Sequence, residues 1–300
     1  MKKLKYGLSV CLTLLVLTCF SQEDQWQWWN EAHNWKPGMP GWRNWIILSP
    51  GYLGPNALPV PELKKGFIPV TGEVEVSLSR HFHPEDPTQD LSGKFFYPIF
   101  NGIVAVEAYG VILENYYYTE ELRDERFSRD KDGMGIIPGD FYFSTLIQLC
   151  KDRRFPNTVL RLACKTASGD AFAARFTDTP GYFFDFSSSR DFELSRHSNL
   201  RTFGTLGFYS WQTYNEATPQ NDALLYGAGV DYLHSGWQIS GQLSGYSGYL
   251  KIHDRPCLLT FEGRYDWMAT AVRLQFLYGL HDWNYQTLRF SFIWKFDGKN

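Results

Sequence analysis

Ser195, His197 and Asn199 are the sequence's best candidate for covalent chemistry. In an extended segment, side chains at i, i+2 and i+4 share one face. The imidazole can then act as base, the hydroxyl as nucleophile, and the amide can orient the ring. The same residues also suit an ordinary polar turn. A second dense stretch runs from Lys165-Thr166-Ala167-Ser168-Gly169 to Arg175, Asp178 and Pro180-Gly181-Tyr182. Arg175 and Asp178 can tie a loop by a charge-assisted hydrogen bond. Lys165, Ser168, Arg175, Asp178 and Tyr182 therefore read either as a ligand-binding lip or as a structural corner. His81-x-His83 offers two imidazoles on one strand face, but no third ligand has metal-site spacing, so neither metal nor cofactor is expected.

The elements that position these residues show period two. Glu73-Val74-Glu75-Val76-Ser77-Leu78-Ser79 alternates strictly, and Leu288, Phe290, Phe292, Trp294 and Phe296 alternate with Arg289, Ser291 and Lys295. Strands are expected near 70–82, 92–101, 103–117, 139–151, 156–168, 181–190, 199–213, 222–234, 236–250, 256–266, 269–279 and 285–297. Twelve strands of about ten residues, with alternately short and long connections, predict an all-β fold: a transmembrane antiparallel up-and-down β-barrel. The connection at 191–198 fits worst, being long on the short-turn side. Tyr116 to Tyr118, Trp211, Tyr214, Tyr249, Tyr278 and Tyr285 gather at the long-loop ends, and Trp237, Trp267, Trp294 and Phe296 at the short-turn ends, as two aromatic girdles.

In this register the lumen receives Glu75, Glu107, Arg161, Lys165, Asp231, Glu262, Arg264, Arg273, Arg289 and Lys295. Such charges must pair or meet water. The interior is then a salt-bridged network or a narrow polar passage for a small polar solute.

Composition removes other classes. The 300 residues are 17% aromatic and 20% charged, with net charge −3 and mean hydropathy −0.33. That is too aromatic for a disordered chain and not basic enough for a nucleic-acid binder. No apolar run beyond the N-terminus reaches the length of a membrane helix. Lys2, Lys3 and Lys5 before the apolar run Leu8 to Phe20 mark a signal peptide over 1–22. Its removal leaves 26 basic against 32 acidic residues, a net charge of −6. Lipidation at Cys19 is the alternative processing. Cys150, Cys164 and Cys257 sit in strand-like runs without a CxxC and read as small hydrophobes.

Residues 23–69 differ from the barrel over 70–297. Six tryptophans fall between Trp26 and Trp45, followed by Pro50, Pro55, Pro59 and Pro61. This proline density favours an extended path. The segment is expected to pack in the periplasm, in the lumen or at the membrane interface.

Two resemblances follow. The Ser195-x-His197-x-Asn199 set, the strand number and the closing strand resemble outer-membrane phospholipase A, which implies a lipid-modifying hydrolase. In that family His precedes Ser, whereas here Ser195 comes first. Residues 49–61 and 139–186, through Ser49-Pro50-Gly51-Tyr52-Leu53-Gly54-Pro55-Asn56-Ala57-Leu58-Pro59-Val60-Pro61, Lys165 to Gly169 and Arg175 to Tyr182, resemble an uncharacterised group of Gram-negative outer-membrane barrels. This implies an outer-membrane location after signal-peptide removal, with outer-membrane lipid and the barrel-assembly machinery as partners and no nucleic acid. The expected role is a narrow polar channel or a structural membrane protein, with the hydrolase as alternative.

Overall fold

The computed structural model describes residues 25–151 and 154–297. The expected signal peptide and Cys19 lie outside the described residues. The chain forms two compact units, Met1–Trp45 and Ile46–Asn300. The described part of the first holds a one-turn-and-a-half helix, α1 (Gln27–Ala32), and a 3-10 turn at Trp42–Asn44. Trp29 lies edge-on to Trp45 at 6.4 Å, and the indoles of Trp35 and Trp45 both donate to the Pro40 carbonyl.

The second unit is a closed antiparallel barrel of twelve strands. The strands are β1 (Thr71–Phe82), β2 (Thr88–Ile99), β3 (Val104–Tyr117), β5 (Phe141–Cys150), β6 (Asn157–Lys165), β7 (Gly181–Ser195), β8 (Ser198–Gln212), β9 (Gln220–His234), β10 (Trp237–Gly248), β11 (Cys257–Trp267), β12 (Thr270–His281) and β13 (Gln286–Asp297). The β1–β13 and β2–β3 ladders complete the ring, with Val76 opposite Phe292 and Phe96 opposite Glu107. A thirteenth strand, β4 (Met134–Ile137), pairs only with the end of β3 and belongs to a connection. The remainder of that connection carries helix α2 (Glu120–Glu125), capped by Thr119. No described helix is long and apolar enough to cross a membrane.

Burial is inverted relative to a soluble protein. On β1, Glu75, Ser77, Ser79 and His81 are buried, while Val74, Val76 and Leu78 are exposed. Phe290 and Phe292 on β13, Leu274 and Phe276 on β12, and Phe184 and Phe186 on β7 continue the outer apolar belt. Period two leaves each strand one face for lipid and one for the interior.

Two expectations are corrected. Residues 191–195 belong to a strand, because β7 runs on to Ser195 and turns through Arg196-His197 into β8. Asp191 pairs with Arg201 at 2.6 Å there, so the ladder continues past the apolar pattern. The outer girdle is also thinner than expected. Tyr117, Tyr249 and Tyr278 face outward, but Tyr116, Tyr118, Trp211 and Tyr285 are buried inside the mouth. Parity decides this: Tyr116 and Tyr117 are neighbours and must point to opposite faces.

Phe290 lies near the middle of the outer belt. Phe290→Arg is expected to lower stability in lipid by about 2–4 kcal/mol. Urea titration in vesicles, followed by heat-modifiable gel mobility, measures this.

Candidate functional site

The barrel interior is occupied by the chain's own residues 46–69. Their prolines lack N–H groups and hold the backbone extended, and the carbonyls find donors on the wall. The Trp211 indole donates to Leu48 O at 3.0 Å, the Trp283 indole to Pro55 O at 3.3 Å and the Tyr246 hydroxyl to Leu58 O at 2.7 Å. Leu58 itself packs among Tyr142, Phe183, Tyr209, Trp211 and Tyr246. The interior face is therefore partly apolar, which alternation alone does not reveal.

Lower in the lumen the contacts become ionic. Glu62 meets Lys94 at 2.9 Å and Arg273 at 2.5 Å. Lys64 meets Glu107 at 2.5 Å, and Lys65 lies 3.0 Å from Asp231 and 3.5 Å from Glu262. Ile68 N–H donates to Gln148 Oε1 at 2.8 Å, and Gln148 Nε2 donates to Gly66 O at 2.9 Å. Gly66 has φ +71° and would set a Cβ 2.6 Å from the backbone of Asn157 and Ser189, so only glycine fits this passage.

The wall pairs its remaining charges with itself. Arg161 donates to Asp185 at 2.6 Å, Arg273 to Glu75, and Arg264 to Glu73 at 2.6 Å. His81 uses both ring nitrogens, one with Thr287 and one with Asp90, each at 2.6 Å.

A separate cluster closes the long-loop end around Asp86. Its carboxylate accepts from Arg175, from Arg126 at 2.7 Å, from the Tyr285 hydroxyl and from Thr88 at 2.9 Å. Arg175 also donates to Glu114 at 2.7 Å. Asp86, Arg126, Arg175 and Tyr285 come from four different connections, 83–87, 118–140, 166–180 and 282–285, and all four are buried. Burial opposes ionisation of Asp86, but the Arg175 and Arg126 guanidiniums outweigh it and hold the carboxyl at about 2.

The sequence-predicted residues divide as follows. Glu75, Glu107, Arg161, Lys165, Asp231, Glu262 and Arg273 are buried on inward positions, and Arg264, Arg289 and Lys295 are half-buried there. Lys165, Ser168, Arg175, Asp178 and Tyr182 do not form one lip. Lys165 is buried against Asp140 at 2.7 Å and donates to the carbonyls of Thr177 and Thr179. Ser168 bridges Thr166 and Gly139, and Asp178 is half-buried. Arg175 commits Nε, Nη1 and Nη2 to Glu114, Asp86 and Thr88. Tyr182 is exposed on the outward face of β7, opposite in parity to Phe183.

Ser195, His197 and Asn199 straddle the two-residue β7–β8 turn instead of lying along one strand. Ser195 Oγ accepts from the backbone N–H of His197 at 3.4 Å, as in a polar turn. The serine–imidazole contact in this region is a different one, Ser198 Oγ to His234 Nδ1 at 2.8 Å. The hydrolase resemblance thus finds no matching arrangement of these three side chains.

Several partners escaped the sequence reading. Asp185 was within reach, since it shares parity with Gly181 and Ser187 on β7. Lys64, Lys65, Asp86 and Arg126 lie outside the alternating runs and carry no local signal of what they meet.

No protein-family model and no curated protein matches the chain. Among solved structures, an outer-membrane channel from Pseudomonas putida F1 matches with a TM-score of 0.53 and 10% identity, over 79% of this chain and all of that one. The KdgM porin matches with a TM-score of 0.46 and 8% identity, over 74% of this chain and 99% of that one. The β domain of the Bordetella autotransporter BrkA matches at 0.42 and 14%, over 76% and 99%. The first of these carries the comparison: the chain has the fold of an outer-membrane channel barrel.

Arg161→Met leaves Asp185 buried and unpaired, and is expected to cost about 3–5 kcal/mol. Adding Asp185→Leu restores most of that loss in the same urea titration. Asp86 gives a pH signature. A carboxyl depressed from 3.8 to about 2 contributes stability above its unfolded value and loses it as pH falls through the folded one. The unfolding-temperature gap between parent and Asp86→Asn is therefore expected to be constant above about pH 5 and to shrink as pH falls toward about 2.

Proposed function

We propose that this protein is a Gram-negative outer-membrane barrel whose lumen is a narrow polar passage, kept narrow by residues 46–69. One observation carries the reading: a cavity of about 160 Å³ remains between that segment and the wall, lined by Glu62, Glu75, Lys94, Arg161, Arg273 and Arg289 among others. Both charge signs face it beside the apolar Val60, Val111, Leu258 and Leu277, which suits a small solute that carries polar groups. The apolar belt supports outer-membrane lipid as the outer partner. The aromatic alternation of β13 supports handling by the barrel-assembly machinery, after removal of a signal peptide over 1–22. The acidic balance argues against nucleic acid as a partner.

Planar-bilayer recording tests the passage. The full chain is expected to give small or no current steps, and a variant lacking residues 23–66 larger ones. A silent deletion variant that is correctly folded by heat-modifiable mobility overturns the channel reading.

A further inference from the structure

Barrels with an even number of strands and short turns on one side begin and end on that side. A segment preceding β1 would by default begin there too. The contacts of residues 46–69 run the other way. The earliest ones belong to the long-loop end: Gly51 N–H donates to the carbonyl of His253, and Asn284 donates to the carbonyl of Gly51. Gly54 sits so close to the Arg175 guanidinium that a Cβ would approach it to 2.7 Å. Glu62 and Lys64 then meet Arg273 and Glu107 on mid-strand positions. Ile68 finishes at the short-turn end, where its carbonyl lies against Gly102 in the 100–103 turn, three residues before β1. From Leu58 to Ile68, ten extended steps of about 3.1 Å span ~31 Å, about the thickness of a bilayer core.

We infer that the chain enters its own barrel from the outer face, so that residues 46–56 line the external mouth and the peptide leading into Ile46 is delivered to the cell exterior. This rests on the outer-membrane reading above, with the long loops outside. A periplasmic cap and a plug inserted from the periplasm both require the opposite order of contacts.

Membrane-impermeant maleimide on intact cells tests the direction. Single cysteines are placed at Tyr52, at Ala217 in the long 213–219 connection and at His197 in the β7–β8 turn, in chains whose Cys150, Cys164 and Cys257 are serine. Tyr52→Cys and Ala217→Cys are expected to label on intact cells, and His197→Cys only after the outer membrane is permeabilised. Protection of Tyr52→Cys together with His197→Cys, while Ala217→Cys labels, overturns the inference. Labelling of His197→Cys with protection of Ala217→Cys overturns the membrane orientation beneath it. Trypsin gives a second readout that does not depend on how well Tyr52 is exposed. Arg43 is exposed, so intact cells are expected to yield a membrane-bound chain beginning at Asn44, and Arg43→Gln abolishes that product. Cleavage after Arg43 only in permeabilised cells overturns the proposal.

Discussion

Charge that cannot reach bulk water dictates most of this structure. Glu75, Glu107, Asp185, Asp231 and Glu262 all lie on inward positions and are buried. A strand shifted by one residue would send them into lipid and bring Val76 and Leu78 inside. The register is thus enforced from both faces. Inside, each carboxylate needs a cation or donor, because an isolated buried ion is far costlier than a paired one. Arg161 serves Asp185 and Arg273 serves Glu75, but Glu107, Asp231 and Glu262 receive lysines from a segment outside the barrel strands.

The luminal segment therefore acts as an inner layer of the wall. Its prolines reduce the number of N–H groups that an extended chain would otherwise bury unsatisfied. Leu58 and Ile68 anchor it in two apolar clusters near opposite ends of the lumen, and Glu62, Lys64 and Lys65 fix it between them. A barrel whose strands alone lined the interior would leave Asp231 without its lysine, and Glu107 and Glu262 with only the longer contacts to Lys94 and Arg273 at 3.7 and 3.5 Å.

The barrel was legible because lipid imposes a simple rule on every strand. One face must be apolar, so alternation and strand count could both be read from residues such as Val74 to Ser79 or Leu288 to Phe296. The misreadings occur where that rule lapses. From Arg190 to Ser195 β7 is exposed on both faces, so the inward–outward contrast lapses and Asp191 to Ser195 resemble a loop. Tyr116, Tyr118, Trp211 and Tyr285 were read by height alone, although parity turns them inward. The candidate lip failed for a different reason: Arg175 finds its partners 61 and 89 residues away in sequence, at Glu114 and Asp86. Pairings set by closure of the ring leave no local trace.

The interactions that hold the luminal segment and the loops above it are not equally firm. At the outer end, Arg175, Glu114 and Asp86 have no solvent contact at all, so disrupting them strands charge in a dry site. In the middle, the side chains of Lys65, Lys94 and Glu62 retain 19%, 21% and 38% of their exposure. Water can replace a partner there at a much lower cost. Glu62 and Lys94 also border the remaining cavity. A change in the width of the cavity is therefore cheapest around Glu62 to Lys65, between two fixed ends, where the chain can exchange wall contacts for water without releasing its anchors.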